Sequence, residues 1–332
     1  MVRAVETASC RNVRRVSGLN VRGEIPDELW SLTFLNNLYL SQNYLTGTLS
    51  PSIANLTRMQ YLSIGINALS GELPKELGLL TDIMSIGFGT NNFSGPLPRE
   101  LGNLTRLTQK AGNYISWSKS YIDSSGVSGP IPLTFAKMQN LDTVWASDND
   151  FTGRIPDFIG NNWSKLTALR FQGNAFAGPI PASFSNLRIS DLSNGSSSFG
   201  FLRNMKSLSK LVLRNNNISG SIPPNIGEYQ SLSLLDLSFN NLAGRIPDAV
   251  FNLCSLTHLF LGDNKLTGVL PTQKSQFLQT IDLSYNGLSG SFPSWVNEQN
   301  LQLNLVGNNF TIEQSDNSSL PSGISEIFQL RN

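Results

Sequence analysis

Histidine occurs once and cysteine twice in these 332 residues. That scarcity argues against a His/Cys metal centre and leaves little for histidine-based catalysis, so neither a metal nor a cofactor is expected. Charge is sparse as well: Asp, Glu, Lys and Arg make up 14% of the chain, against roughly 25% in an ordinary soluble domain. A net charge of +1 gives no electrostatic case for a nucleic-acid partner or an anionic membrane surface. No run of 18 apolar residues is present, so nothing reads as a membrane-spanning helix, and Met1–Cys10 lacks the apolar stretch of a secretory leader. The polar surface must come from Asn, Ser and Thr.

What is abundant is periodic. The phrase L-x-x-L-x-L-x-x-N-x-L-x-G-x-[IL]-P recurs, as in 56–74, 166–181, 208–223, 232–247, 256–271 and 278–293. Its Asn falls at Asn43, Asn67, Asn91, Asn149, Asn174, Asn216, Asn240, Asn264, Asn286 and Asn308, mostly in steps of 24 residues. Alternation in L-x-L predicts a short strand with its Leu side chains inward. The phrase Asn carries donors and acceptors and can satisfy the backbone of a buried turn between coils. The Gly of L-x-G permits a backbone conformation closed to other residues, and the Pro stops the strand. One such unit cannot bury its own apolar face, whereas stacked units share an elongated core. The expected fold is an α/β leucine-rich-repeat solenoid of about thirteen repeats over 19–312, with a parallel sheet on the concave side and short 3-10 or loop segments on the convex side. Residues 1–18 read as a degenerate N-terminal cap and 313–332 as a polar tail.

The period breaks twice. Gly95 to Gly129 spans 34 residues, ten too many, and the excess maps to 110–120, inside a strand phrase. It reads either as a recognition loop or as an unspliced segment. Six residues are missing between Asn186 and Leu187.

The G-x-[IL]-P form of the repeat resembles the plant-specific leucine-rich repeat. Segments such as 28–60, 66–82, 121–136, 153–160 and 178–187 are similar to the extracellular repeats of plant receptor-like kinases in which such repeats precede a malectin-like domain. The resemblance implies an extracellular module at the plasma membrane that recognises a cell-wall oligosaccharide, a peptide or a co-receptor ectodomain. Membrane attachment would then come only through segments outside this sequence. Kinase motifs are absent here, so no catalysis is expected from this chain. Plant polygalacturonase-inhibiting proteins, similar in length and repeat type, offer an alternative as secreted inhibitors, and a truncated non-signalling product is a third reading.

With the phrase Asn at position n, the residues at n−7, n−6, n−4, n−2 and n−1 are expected to face solvent. This picks out Tyr39, Tyr61, Tyr121, Asp142, Trp145, Asp148, Arg170, Gln172, Asp236, His258, Phe260 and Asp282 as candidate ligand contacts. Aromatics on a rigid sheet supply contact area at low entropic cost and, with polar neighbours, suit a saccharide or an extended peptide. Asp236 and Asp282, two repeats apart, form a carboxylate pair near the upper limit of inverting-glycosidase spacing, but exposed acids are common on such a surface. Among eight N-x-[ST] tripeptides, Asn55, Asn103 and Asn162 lie outside the strand phrase, where a glycan would fit. Asn92, Asn217 and Asn309 follow the phrase Asn and are expected to be crowded. Cys10 and Cys254 lie about ten repeats apart, beyond disulfide reach, and Cys254 is expected in the core. Arg3, Arg11, Arg14 and Arg15 read as a solvated basic end.

Overall fold

The computed structural model describes residues 12–108, 122–181, 183 and 208–311. The chain divides into two compact units, Met1–Phe176 and Ala177–Asn332. Tyr121, the 110–120 excess, the six-residue loss and the 313–332 tail lie outside the described residues.

In each unit the L-x-L segments form short parallel strands. In the first, Val13–Arg15, Asn37–Tyr39, Tyr61–Ser63 and Ser85–Gly87 make one sheet, and Thr143–Trp145 pairs with Ala168–Arg170. In the second, Lys210–Val212, Leu234–Asp236, His258–Phe260, Thr280–Asp282 and Gln302–Asn304 stack in that order. The register is one coil per strand, so equivalent positions of successive repeats become neighbours. The central Leu of each strand turns inward: Leu38, Leu211, Leu235 and Leu259 are at most 1% exposed. Burying each such side chain is worth about 1.5–3 kcal/mol, and stacking supplies the apolar partner that a single coil lacks.

The phrase Asn ties one coil to the next. Nδ2 of Asn67 donates to the Leu40 carbonyl of the preceding coil (3.1 Å) and to its own Ile64 carbonyl (3.0 Å), while its Oδ1 accepts from Leu45 N (3.0 Å). Asn264 repeats the pattern with Leu237, Leu261 and Leu242, all at 3.0 Å. Ser125 holds the ladder position without being an asparagine. It stands 24 residues before Asn149, is fully buried, and donates from its amide (3.0 Å) and hydroxyl (2.8 Å) to Asn149 Oδ1. The coil holding Ser125 stacks directly on that of Asn91, with Phe93 N donating to the Ser125 carbonyl at 2.9 Å.

A second set of parallel strands runs through N-x-L-x-G, a feature absent from the sequence expectation. It pairs Arg22–Glu24 with Tyr44–Thr46, Ser70–Glu72 with Asn92–Ser94, and Ser128–Gly129 with Asp150–Phe151. In the second unit it runs from Ala177–Gly178 through Asn217–Gly220, Asn241–Arg245, Lys265–Gly268 and Gly287–Gly290 to Asn309–Phe310. The phrase Gly lies in these strands or directly after them at positive φ, +80° at Gly47, where a Cβ would also come 2.9 Å from Glu24 Cγ. Proline then ends the strand and precedes a short helix: Pro74 before Lys75–Leu79, Pro98 before Arg99–Asn103, Pro223 before Pro224–Glu228. These helices and two short α-helices, Phe158–Asn162 and Asp248–Phe251, form the side of their coils opposite the L-x-L strands. Among the described residues no helix is long and apolar enough to cross a membrane.

The coil between Asn264 and Asn286 carries a bend and a turn in place of a helix. Lys274 fills the gap with a side chain 1% exposed, and its three ammonium donors go to the carbonyls of Ser275 (3.4 Å) and Leu278 (3.2 Å) and to Glu298 Oε2 (2.6 Å). Every donor of the buried cation is thereby met.

Several expectations are corrected. Cys254 is exposed, not in the core. It sits between buried Leu253 and Leu256 in the place held by exposed Thr57 and Thr105 in other coils. Arg14 is not at a solvated end, because it occupies the inward strand position in register with Leu38 and is half-buried. Position n−2 does not generally face solvent either. Gly65, Gly89, Ser147, Ser238, Gly262 and Ser284 are buried there, because successive coils meet closely: a Cβ on Gly65 would lie 2.9 Å from the Gly89 carbonyl oxygen. Val212, at n−4, is also buried, an apolar side chain withdrawn from the face it was expected to join. Finally, Asn92, Asn217 and Asn309 are exposed, because alternation along the second-sheet strands turns them outward, and crowding does not set them apart.

Candidate functional site

Register decides which candidate side chains share a surface. In the first unit Trp145 and Arg170 are partners on adjacent strands, and the Arg170 guanidinium lies 4.9 Å from the centre of the Trp145 ring. A cation held over an indole at this range is attracted by the ring quadrupole and presents a flat, preorganised face. Asp148 is exposed at φ +53°, and the neighbouring coil makes room for it with Gly173, where any Cβ would collide with Asp148 Oδ1. Asp142 and Gln172 are half-buried close by in sequence position, at n−7 and n−2 of their coils.

Asp123 was not among the expected contacts. It occupies n−2 in the coil of Ser125, where the turn between coils is tight, and Ser147 N donates to its Oδ1 at 2.6 Å. Burial pushes its carboxyl above the ordinary aspartate range; hydrogen bonds from the Ser147 amide and hydroxyl pull the other way, nearby Asp148 adds to the rise, and Arg170 opposes it. Asp123 and Arg170 thus belong to one electrostatic cluster with Asp148. The ladder phase that picks out Tyr121 at n−4 also places Asp123 at n−2, but phase alone does not show its burial.

Tyr39 and Tyr61 are half-buried on adjacent strands, at n−4 and n−6 of their coils, and Tyr61 Oη donates to Met84 Sδ at 3.8 Å. The second unit carries a separate row in which Asp236, Phe260, Asp282 and Asn304 are successive partners. His258 is exposed beside Phe260, ring centres 6.3 Å apart, with Nδ1 2.7 Å from Thr257 Oγ1. The two carboxylates are not paired for acid–base work. Ser238 donates to Asp236 Oδ1 from its hydroxyl (2.6 Å) and amide (3.1 Å), and Ser284 does the same to Asp282 at 2.6 and 2.9 Å. Each Asp holds its own strand end, and Phe260 stands between them. Among the described residues no group of three or more His, Cys, Asp or Glu side chains is placed to hold a metal ion. The chemistry of both faces is that of contact: aromatic area, stacked cations and anchored carboxylates.

The leucine-rich-repeat family profile matches residues 34–56, 207–229, 231–253 and 277–298. This chain is built of leucine-rich repeats. Over 54 residues, 16% of its length, it is 61% identical to a probable LRR receptor-like serine/threonine-protein kinase of Arabidopsis thaliana, of which it covers 5%. Its structure is similar to that of the plant peptide hormone receptor RGFR1, solved in complex with RGF2, with a TM-score of 0.71 and 31% identity over 90% of this chain and 48% of that one. It is also similar to the Arabidopsis receptor kinase HAESA, solved with the peptide hormone IDA and the co-receptor SERK1, with a TM-score of 0.69 and 31% identity over 87% of this chain and 44% of that one. The leucine-rich-repeat chain therefore spans less than half the length of these two receptor chains.

Proposed function

We propose that this chain is the recognition part of a plant receptor-like kinase ectodomain, and that it binds an extended peptide across the L-x-L strands. The Trp145–Arg170 stack carries the reading: it is a rigid aromatic and cationic contact on a preformed sheet, the kind of anchor that dominates binding energy. The peptide hormones held by the similar receptors favour a peptide over an oligosaccharide. The same reading places the chain outside the plasma membrane and gives it a co-receptor ectodomain as a second partner. The segments at 28–60 and 66–82 further support the receptor type in which a malectin-like domain follows the repeats. Catalysis would belong to a kinase domain elsewhere in such a receptor.

The test is binding of the purified chain to two sets of probes, a library of synthetic secreted-type peptides and a panel of wall-derived oligosaccharides, by titration calorimetry. A peptide should bind, and Trp145→Ala should weaken it by tenfold or more, about 1.4 kcal/mol or above, while Tyr44→Ala, outside the L-x-L strands, should not. Binding confined to the oligosaccharides, or a peptide affinity untouched by Trp145→Ala and Arg170→Ala, overturns the reading.

A further inference from the structure

The corner that ends three of the short helices repeats one tripeptide pattern. Asn55, Asn103 and Asn252 each stand twelve residues after a ladder Asn, namely Asn43, Asn91 and Asn240. Asn55 and Asn103 close the helices Pro51–Asn55 and Arg99–Asn103, and Asn252 caps Asp248–Phe251. All three are exposed. The next residue is a buried leucine in every case: Leu56 at 0%, Leu104 at 1% and Leu253 at 0% exposure. Its carbonyl accepts from the amide three residues on, Met59 (2.9 Å), Leu107 (3.1 Å) and Leu256 (3.3 Å). The third residue then turns back to solvent as Thr57, Thr105 and Cys254. The corner is open even to an apolar side chain, since Leu79 holds the same place after Asn67 and is 61% exposed.

Two of these tripeptides, Asn55-Leu-Thr and Asn103-Leu-Thr, are N-glycosylation acceptors by sequence. The third is Asn252-Leu-Cys. We propose that Asn252 is a further N-glycosylation site, with the Cys254 thiol standing in for the usual hydroxyl. In such an acceptor the group two residues after Asn is read by a hydrogen bond, and a reduced thiol can supply it, though weakly. The geometry on which the proposal rests is the shared corner: exposed Asn, inward Leu, exposed third side chain. Among the described residues Cys254 has no disulfide partner, so its sulfur is available for that role.

The covalent step is a glycosyl transfer from a lipid-pyrophosphate-linked oligosaccharide, catalysed by the host's transferase. The Asn252 side-chain nitrogen forms a bond to C1 of the first sugar as the C1–O bond to pyrophosphate breaks. The lipid pyrophosphate leaves with the bonding electrons, and the nitrogen gives up one proton. Nothing is oxidised or reduced. Because a thiol donates less strongly than a hydroxyl, occupancy at Asn252 should be partial where Asn55 and Asn103 are full. The inference rests on the extracellular reading above, since the donor is met only on the secretory route.

The experiment expresses the protein from its own gene, with its own flanking sequence, in plant cells, and maps each occupied Asn by enzymatic glycan release in isotopic water followed by peptide mass spectrometry. Partial label at Asn252 is expected, lost in Asn252→Gln and in Cys254→Ala, and raised to the level of Asn103 in Cys254→Thr. The Thr variant fits the corner already, as Thr57 and Thr105 show. A bare Asn252 beside an occupied Asn55 or Asn103 overturns this inference and leaves the extracellular reading standing. All three bare overturns both.

Discussion

The side-chain oxygen of Asn149 accepts hydrogen bonds from both the amide (3.0 Å) and the hydroxyl (2.8 Å) of Ser125, and a third from Gly126 N (3.1 Å). Its Nδ2 donates to the carbonyls of Ile122 (3.0 Å) and Ser147 (2.9 Å). One carboxamide thus serves five groups in a buried turn between two coils. Asn149→Ala leaves them all short of a partner and should cost about 2–4 kcal/mol, while Ser125→Ala, which removes one hydroxyl, should cost about 1 kcal/mol. Urea unfolding compares the two. Equal costs would mean that the ladder does not hold the coils.

The inward leucines give a check on phase. Leu237 and Leu261 are fully buried, so substitution by Ala should cost roughly 2–5 kcal/mol each. A loss below about 1 kcal/mol by the same unfolding measurement would place them off the core column.

Three tryptophans in or next to the short helices differ in one respect. Trp163 Nε1 donates to the Phe135 carbonyl (3.0 Å) and Trp295 Nε1 to the Pro271 carbonyl (2.8 Å), each reaching back one coil. Trp30, 1% exposed, has no partner for its Nε1 among the described residues. Trp163→Phe should therefore destabilise by about 1–3 kcal/mol through the carbonyl left unmet, whereas Trp30→Phe removes a buried orphan donor and should be near neutral. Thermal melts of both variants decide it, and a larger loss at Trp30 would contradict the bonding described.

Asp123 predicts an unusual pH response. Its carboxyl is raised above the ordinary aspartate range, chiefly by burial, so the folded state holds the proton more tightly than the unfolded chain does. Its contribution to stability is fully present in acid, below the unfolded-state value, and is lost as pH rises through the folded-state value. Asp123→Asn keeps an oxygen to accept from Ser147 and removes the penalised charge. It should raise the melting temperature at neutral pH and give no gain near about pH 3, where the native carboxyl is already protonated. A gain of the same size at both pH values would rule out charge as the cause.

Much of this was legible in the sequence. The L-x-L strands, the inward leucines and the row Asp236–Phe260–Asp282 follow from the 24-residue period, because parallel in-register stacking turns equal phase into spatial adjacency. The second sheet was hidden: N-x-L-x-G reads as a turn, and only when coils stack do its short extended pieces find parallel partners. Cys254 was misplaced because its residue type suggests burial, whereas its phase, shared with Thr57, puts it outside. Asp123 was missed although the phase that places Tyr121 at n−4 puts it at n−2, because burial at n−2 depends on how closely two coils approach. That distance is a property of packing and not of either coil alone.

Lys274 also changes how the chain meets a protease. An enzyme that cuts after lysine must draw that side chain into its own pocket, and here the side chain is 1% exposed with all three donors engaged. The Lys274–Ser275 bond is thus shielded while the coil stays closed, in contrast to the exposed Lys210 and Lys265. Cleavage there would report how often this helix-free coil opens, independently of whether the rest of the chain unfolds.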